Sequence, residues 1–117
     1  MAHDEELADR IRALVTDEPG LSERRMFGGL AFLVGGNMAV AAGGEGGLLV
    51  RVDPAESARL IRSASVQLME MRGRPMKGWL RVDADALRTK RQLTRWVNIG
   101  LGSARSLPAK PDRRPRS

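Results

Sequence analysis

Cysteine and tyrosine are both missing from this chain of 117 residues, and its one histidine is the third residue. Without cysteine there is no disulfide, no zinc–thiolate or iron–sulfur site, and no thiol nucleophile. Without a histidine in the body, the common general base near neutral pH is gone, and with it the usual activation of a serine. Aromatic residues are scarce, at two Phe and two Trp. Apolar runs are short: residues 30–34 and their like fall far below the ~20 residues that a membrane helix requires. The opening Met1-Ala2-His3-Asp4-Glu5-Glu6 also lacks the basic-then-apolar layout of a secretory leader. A cytoplasmic protein with no membrane partner is the expectation.

What is present suits one globular domain. Apolar residues make up 42% and charged residues 29%, enough of the former to build a core and too few of the latter for disorder. The net charge of +6 is unevenly placed. Residues 110–117 carry Lys110, Arg113, Arg114 and Arg116 against Asp112, a net +3, so the body of the chain is only mildly basic. The reading is a domain over 1–107 followed by a basic, disordered tail over 108–117, where proline and arginine leave nothing to bury.

The pattern along the chain alternates helix and strand signals. Asp4 is placed to cap a helix whose apolar stripe is Leu7, Ile11, Leu14 and Val15, ended by Pro19-Gly20. Eight of the thirteen glycines then fall between positions 28 and 47, in pairs that separate short apolar runs. These predict a meander of three strands: 25–27 continuing through 30–34, then 38–42, then 48–52. Gly28-Gly29 reads as a bulge inside the first strand, and Gly35-Gly36-Asn37 as a tight hairpin turn. Asp53-Pro54 opens a helix to about residue 63. Strands over 66–71 and 78–82 follow, joined by a loop over 72–77, where Pro75 denies a ladder hydrogen bond. Asp83 is placed to cap a short turn over 84–87. Thr89 opens a last helix with Leu93, Trp96, Val97, Leu101, Ala104 and Leu107 on one face, and Gly100 and Gly102 in it suggest close packing. The fold class is α+β, a two-layer sandwich of order α-β(3)-α-β(2)-α with a five-stranded antiparallel sheet.

Few residues carry a chemical signal. The glycine pairs are followed by strand, not by the helix that phosphate-binding loops require, so they read as turns. Asp83 and Asp85 are accounted for as a cap and a first-turn acid, so neither a metal nor a catalytic residue is assigned and no cofactor is expected. The densest basic, partly apolar surface is the loop carrying Arg72, Arg74 and Lys77, with Met76 and Trp79 interleaved. Arg24, Arg25, Arg51 and Arg81 add to it if their strands lie beside the loop. Such a surface suits phosphates, or a partner side chain stacked on Trp79, while Met76 and Trp79 packed in a core is the plainer reading. The candidate surface residues are Arg25, Arg72, Arg74, Lys77 and Trp79.

Two stretches carry a resemblance. Arg25-Met26-Phe27-Gly28-Gly29-Leu30-Ala31-Phe32-Leu33-Val34 and Gly73-Arg74-Pro75-Met76-Lys77-Gly78-Trp79 resemble the N-terminal domain of the TfoX/Sxy family, and the order of elements from Leu7 to Leu107 is similar to that domain throughout. The resemblance implies an α+β layout in the secretion-chaperone-like class. It also implies a link to regulators of natural competence, which act with the cyclic-AMP receptor protein at promoters. No catalytic residue is established for that family, so none carries over. Full-length competence regulators continue into a second, helical domain, and the expectation here is a stand-alone N-terminal domain.

The functional expectation is a small non-enzymatic regulatory or adaptor module acting by protein–protein contact, with transcription machinery as one candidate partner. The alternative is largely sequence-independent nucleic-acid binding through the basic loop and tail. A homodimer through an exposed sheet edge is a further partner option.

Overall fold

A computed structural model describes residues 5–26, 29–43, 47–61, 65–71 and 73–107, apart from the side chains of Met26, Met71 and Lys77. The expected cap Asp4 and the tail from residue 108 lie outside the described residues. Helix α1 (Glu5–Val15) carries Glu5 and Glu6 in its first turn, where the helix dipole favours acids, and buries Leu7, Ala8, Ile11 and Val15.

Four strands follow: β1 (Leu21–Met26), β2 (Gly29–Val34), β3 (Asn37–Ala42) and β4 (Leu48–Arg51). The single bent strand expected through Gly28-Gly29 is therefore two strands, antiparallel, with Met26 opposite Gly29. Gly29 owes its identity to close approach and not to a bulge. A Cβ there would lie 2.3 Å from the Ala42 carbonyl oxygen, so only glycine lets β2 begin against the end of β3. The turn between β2 and β3 is as expected. Gly35 and Gly36 have φ of 59° and 82°, and two successive positive values match the right-handed twist of a two-residue hairpin.

Asp53 accepts a hydrogen bond from the Ala55 N–H and Pro54 opens a short 3-10 turn (Pro54–Glu56), which leads into α2 (Ser57–Leu60). This helix is shorter than the expected run to residue 63, because Ile61 already leaves helical geometry at ψ 88°. Strands β5 (Val66–Met71) and β6 (Arg74–Val82) complete the sheet. Its order is β1-β2-β3-β4-β6-β5, six strands where five were expected, and every neighbouring pair is antiparallel. The expected loop over 72–77 is strand from Arg74 onward. At Pro75, β6 has β5 alongside but not β4, whose register covers residues 79–82, so the missing N–H leaves β4 no unmet partner.

A 3-10 turn (Ala84–Ala86) precedes α3 (Lys90–Arg105). Asp83 makes no side-chain cap there, whereas Thr89 and Gln92 form a reciprocal capping box at the start of α3. Leu93, Trp96, Val97, Gly100, Leu101 and Ala104 of α3 pack with the α1 stripe onto one face of the sheet, over Phe32, Val40, Leu48, Val50, Leu80 and Val82. Burying each large side chain contributes about 1.5–3 kcal/mol, so this layer carries most of the fold's stabilisation. The α+β layered arrangement is thus as read from the sequence.

Candidate functional site

Every described helix contributes to that one core, and the opposite face of the sheet is different. Its apolar cluster, Ala31, Leu33, Met38 and Ala41 with Leu49 and Trp79 packed on it, is made of strand residues alone. Strand alternation decides which side chains lie there. One row across the sheet reads Arg24, Ala31, Ala41, Leu49, Arg81, Gln67, each opposite the next. A second row places Ser22 opposite Leu33, Leu33 opposite Met38, and Arg51 opposite Trp79. Neither row contains a carboxylate.

Met38 reaches this face through a slip in register. Phe32 pairs with Val40, but Leu33 pairs with Met38, so Ala39 is an extra residue in β3. Strict alternation would put Ala39 on this face and Met38 under the helices. The bulge reverses both: Ala39 packs into the helix-side core and Met38 into the other cluster. The same local bend presents the Met38 carbonyl to Arg51, whose Nε–H donates to it at 2.7 Å.

Arg51 is thereby held in a defined pose. Its guanidinium lies over the Trp79 ring, 4.3 Å from the ring centroid, a cation–π stack across the β4–β6 pair. The group is half-buried, and burial holds its pKa below the ordinary arginine value. Among the described residues no carboxylate is paired with it, in contrast to four other arginines. Arg12 bridges Asp9 and Glu23, Arg105 bonds Glu18, Arg59 bonds Glu56 and Arg88 bonds Asp85. Those pairs hold the Glu18 and Glu23 carboxyls below the usual carboxylate range, by hydrogen bonds from Arg105 and Arg12 respectively.

The residues singled out in the sequence are scattered by this geometry. Trp79 lies at the Arg51 stack. Arg74 is exposed at the far end of β6, opposite Met71. Lys77 lies in β6, but its side chain is outside the described residues, as is the whole of Arg72. Arg25 is on β1 opposite Leu30, a residue of the helix-side core, and lines a cleft with Glu5, Asp9, Arg12 and Glu23. It is four strand spacings from β6, about 19 Å, and on the other face. Arg25 therefore does not lie beside Trp79 and Arg74. Arg51 and Arg81, conditional additions in the sequence reading, are the ones whose strand lies beside or carries Trp79. Met38 was missed altogether, and no local signal marks the bulge that brings its carbonyl to Arg51.

Gly78 explains part of the Lys77-Gly78-Trp79 string. It takes φ of 91°, and a Cβ there would meet the Val52 carbonyl oxygen at 3.3 Å and Pro54 Cγ at 3.4 Å. The Gly78 carbonyl in turn accepts the Val52 N–H at 2.8 Å, so glycine lets β6 pass tightly under the Pro54 turn one residue before Trp79.

A sheet covered by helices on one side and bearing an arginine–tryptophan stack on the other, where Ala31, Leu33, Met38 and Ala41 are buried and Leu49, Arg51 and Trp79 half-buried, defines a small α+β domain. The family model described as the TfoX N-terminal domain matches residues 13–104, and the chain belongs to that family, one of regulatory-type domains. A search of curated proteins finds no significant match to the chain. Among the described residues, no group of acidic or histidine side chains is placed to hold a metal ion, and no helix is long and apolar enough to cross a membrane.

Proposed function

We propose that the protein is a non-enzymatic regulatory module of the cytoplasm that works by protein–protein contact through the helix-free face of its sheet, with transcription machinery as the partner class. The observation that carries this reading is the Arg51–Trp79 stack set beside Leu49, Leu33 and Met38. Arginine, tryptophan and methionine are the side chains enriched where protein interfaces concentrate their binding energy, and apolar neighbours exclude water from such contacts. Asp9, Glu18 and Glu23 are engaged with arginines that brace α1, β1 and α3, which suits structural and not catalytic duty.

A photo-crosslinking residue at Leu49, half-buried on the helix-free face, is expected to trap a discrete protein in cells. The same residue at Arg91, exposed on α3, is expected to trap none. Trapping of nucleic acid at Leu49, or of the same protein equally from both positions, would overturn the reading.

A further inference from the structure

We propose that the outer edge of β1 takes an added β-strand from a protein partner, an extended segment carrying two consecutive acidic residues; this contact is separate from the helix-free face. β1 ends the sheet, with β2 on one side and no strand on the other. One hydrogen bond fixes which way its backbone groups turn. The Gly35 N–H donates to the Gly20 carbonyl at 3.2 Å, and in an antiparallel ladder such bonded pairs recur at every second residue. Ser22 and Arg24 therefore turn their N–H and C=O groups toward Leu33 and Ala31, while Leu21, Glu23 and Arg25 turn theirs away from the sheet. The β2–β3 hairpin gives the same phase. Its two-residue turn bonds Val34 to Asn37, so Val34 faces β3 and Leu33 faces Ser22. Ser22, Glu23, Arg24 and Arg25 are all exposed, and no described residue bonds the outward row. The register runs unbroken from Leu21 to Met26, with no bulge or proline to turn the edge away.

Backbone and charge together fix the class of occupant. A row that alternates donors and acceptors is met by another peptide backbone and not by nucleic acid, whose phosphates offer acceptors alone. Glu23 spends both carboxylate oxygens on Arg12, at 2.9 and 3.0 Å, and among the described residues neither Arg24 nor Arg25 has a carboxylate partner. The uncompensated charge of the edge is therefore positive. Alternation puts Arg24 and Arg25 on opposite faces of the sheet, so two adjacent acids in an added strand, one on each face, meet both. On the helix side Arg25 lines a cleft of about 460 Å³ with Asp9, Arg12, Glu23 and Leu30, which gives the added side chains room. Asp9 and Glu23 in that cleft are held by Arg12, and Glu5 beside them lies at the positive end of the α1 dipole. A second copy of the chain fits the edge poorly. Antiparallel registers of useful length that match outward residues to outward residues set Glu23 opposite its own counterpart, or Arg24 opposite its own, or Arg25 opposite Pro19, which has no N–H to give.

The test titrates the full chain with a short peptide of valine and threonine around a central Asp-Glu pair, and follows amide hydrogen exchange by NMR. Comparison probes are the Asn-Gln form, two forms of the acidic peptide N-methylated at one or the other set of alternate residues, and a DNA duplex. Exchange at the Glu23 and Arg25 amides is expected to slow at least about fivefold, while the Ser22 and Arg24 amides, already bonded to β2, change less than about twofold. The Asn-Gln peptide should bind at least about threefold more weakly, and the double variant Arg24→Ala with Arg25→Ala should lose a similar factor for the acidic one. Arg91→Ala, which removes a charge from α3, should change binding less than about twofold. Of the two N-methylated forms, the one that blocks the donors facing β1 should bind at least about tenfold more weakly than the other. Equal binding of the acidic and amide peptides, equal binding of the two N-methylated forms, or equal protection of Ser22 and Glu23 would each overturn the proposal. So would the same protection by the duplex. Protection that grows with protein concentration in the absence of peptide would give the edge to a second copy and overturn it too.

Discussion

Two glycines of α3, two residues apart, separate packing from propensity. A Cβ added at Gly102 meets nothing within 4 Å, so Gly102→Ala should simply gain helix propensity, about 1 kcal/mol of added stability. Added at Gly100, the same atom would lie 2.5 Å from the Ala39 carbonyl oxygen and 2.6 Å from Val40 Cγ1. Ordinary contact needs about 3.5–4.0 Å, so α3 or β3 must give by about 1 Å. The nearer obstacle is backbone, and it belongs to the bulge residue that turns Met38 to the other face. Overpacking of this kind costs about 1–3 kcal/mol, which offsets the same propensity gain and leaves Gly100→Ala about 0–2 kcal/mol less stable than the parent. The expected gap between the two variants is thus about 1–3 kcal/mol. Urea unfolding monitored by far-UV circular dichroism reads it as a shift in midpoint at unchanged m-value. Equal stabilisation by both substitutions would mean that α3 does not press on β3 at this point.

Two further outcomes follow from the geometry. Gly73 and Gly78 both have positive φ, 78° and 91°, but only Gly78 has neighbours in the way, so Gly78→Ala should cost about 1–2 kcal/mol more than Gly73→Ala in the same urea assay. Similar losses in the two would remove the Val52–Pro54 contact as the reason for this glycine. The Glu18 and Glu23 carboxyls are held below their ordinary value of 4.5 in the fold, so the unfolded chain protonates first as pH falls. Their contribution is fully present above that value and is lost as pH drops through 4.5 toward the folded pKa values. Urea midpoints should therefore be flat near neutrality and decline below about pH 5, less steeply in Glu18→Gln; an unchanged decline in that variant would count against the Arg105 pair.

Where a feature depends on neighbours in the chain, the residues announce it. Gly35-Gly36-Asn37 specifies a hairpin because two positive φ values are cheap only there, and Thr89 with Gln92 specifies a helix start because the capping box closes within one turn. Gly28-Gly29 misled because a glycine inside an apolar run signals either a bulge or a close approach. The Ala42 carbonyl that decides between them is thirteen residues further on. Residues 22–25, polar and charged, gave no apolar alternation to mark them as the edge strand β1. The candidate site belongs wholly to this second, non-local kind. Arg51 and Trp79 are 28 positions apart and meet only because β6 inserts between β4 and β5, an order that consecutive hairpins would not produce. The Met38 carbonyl is aimed by a single extra residue, visible only when β2 and β3 are counted against each other. A basic loop next to a tryptophan was the nearest thing to this site that linear proximity could offer. The arginine that matters is brought to Trp79 across a strand pair, while Arg74 of the basic loop stands exposed at the other end of β6.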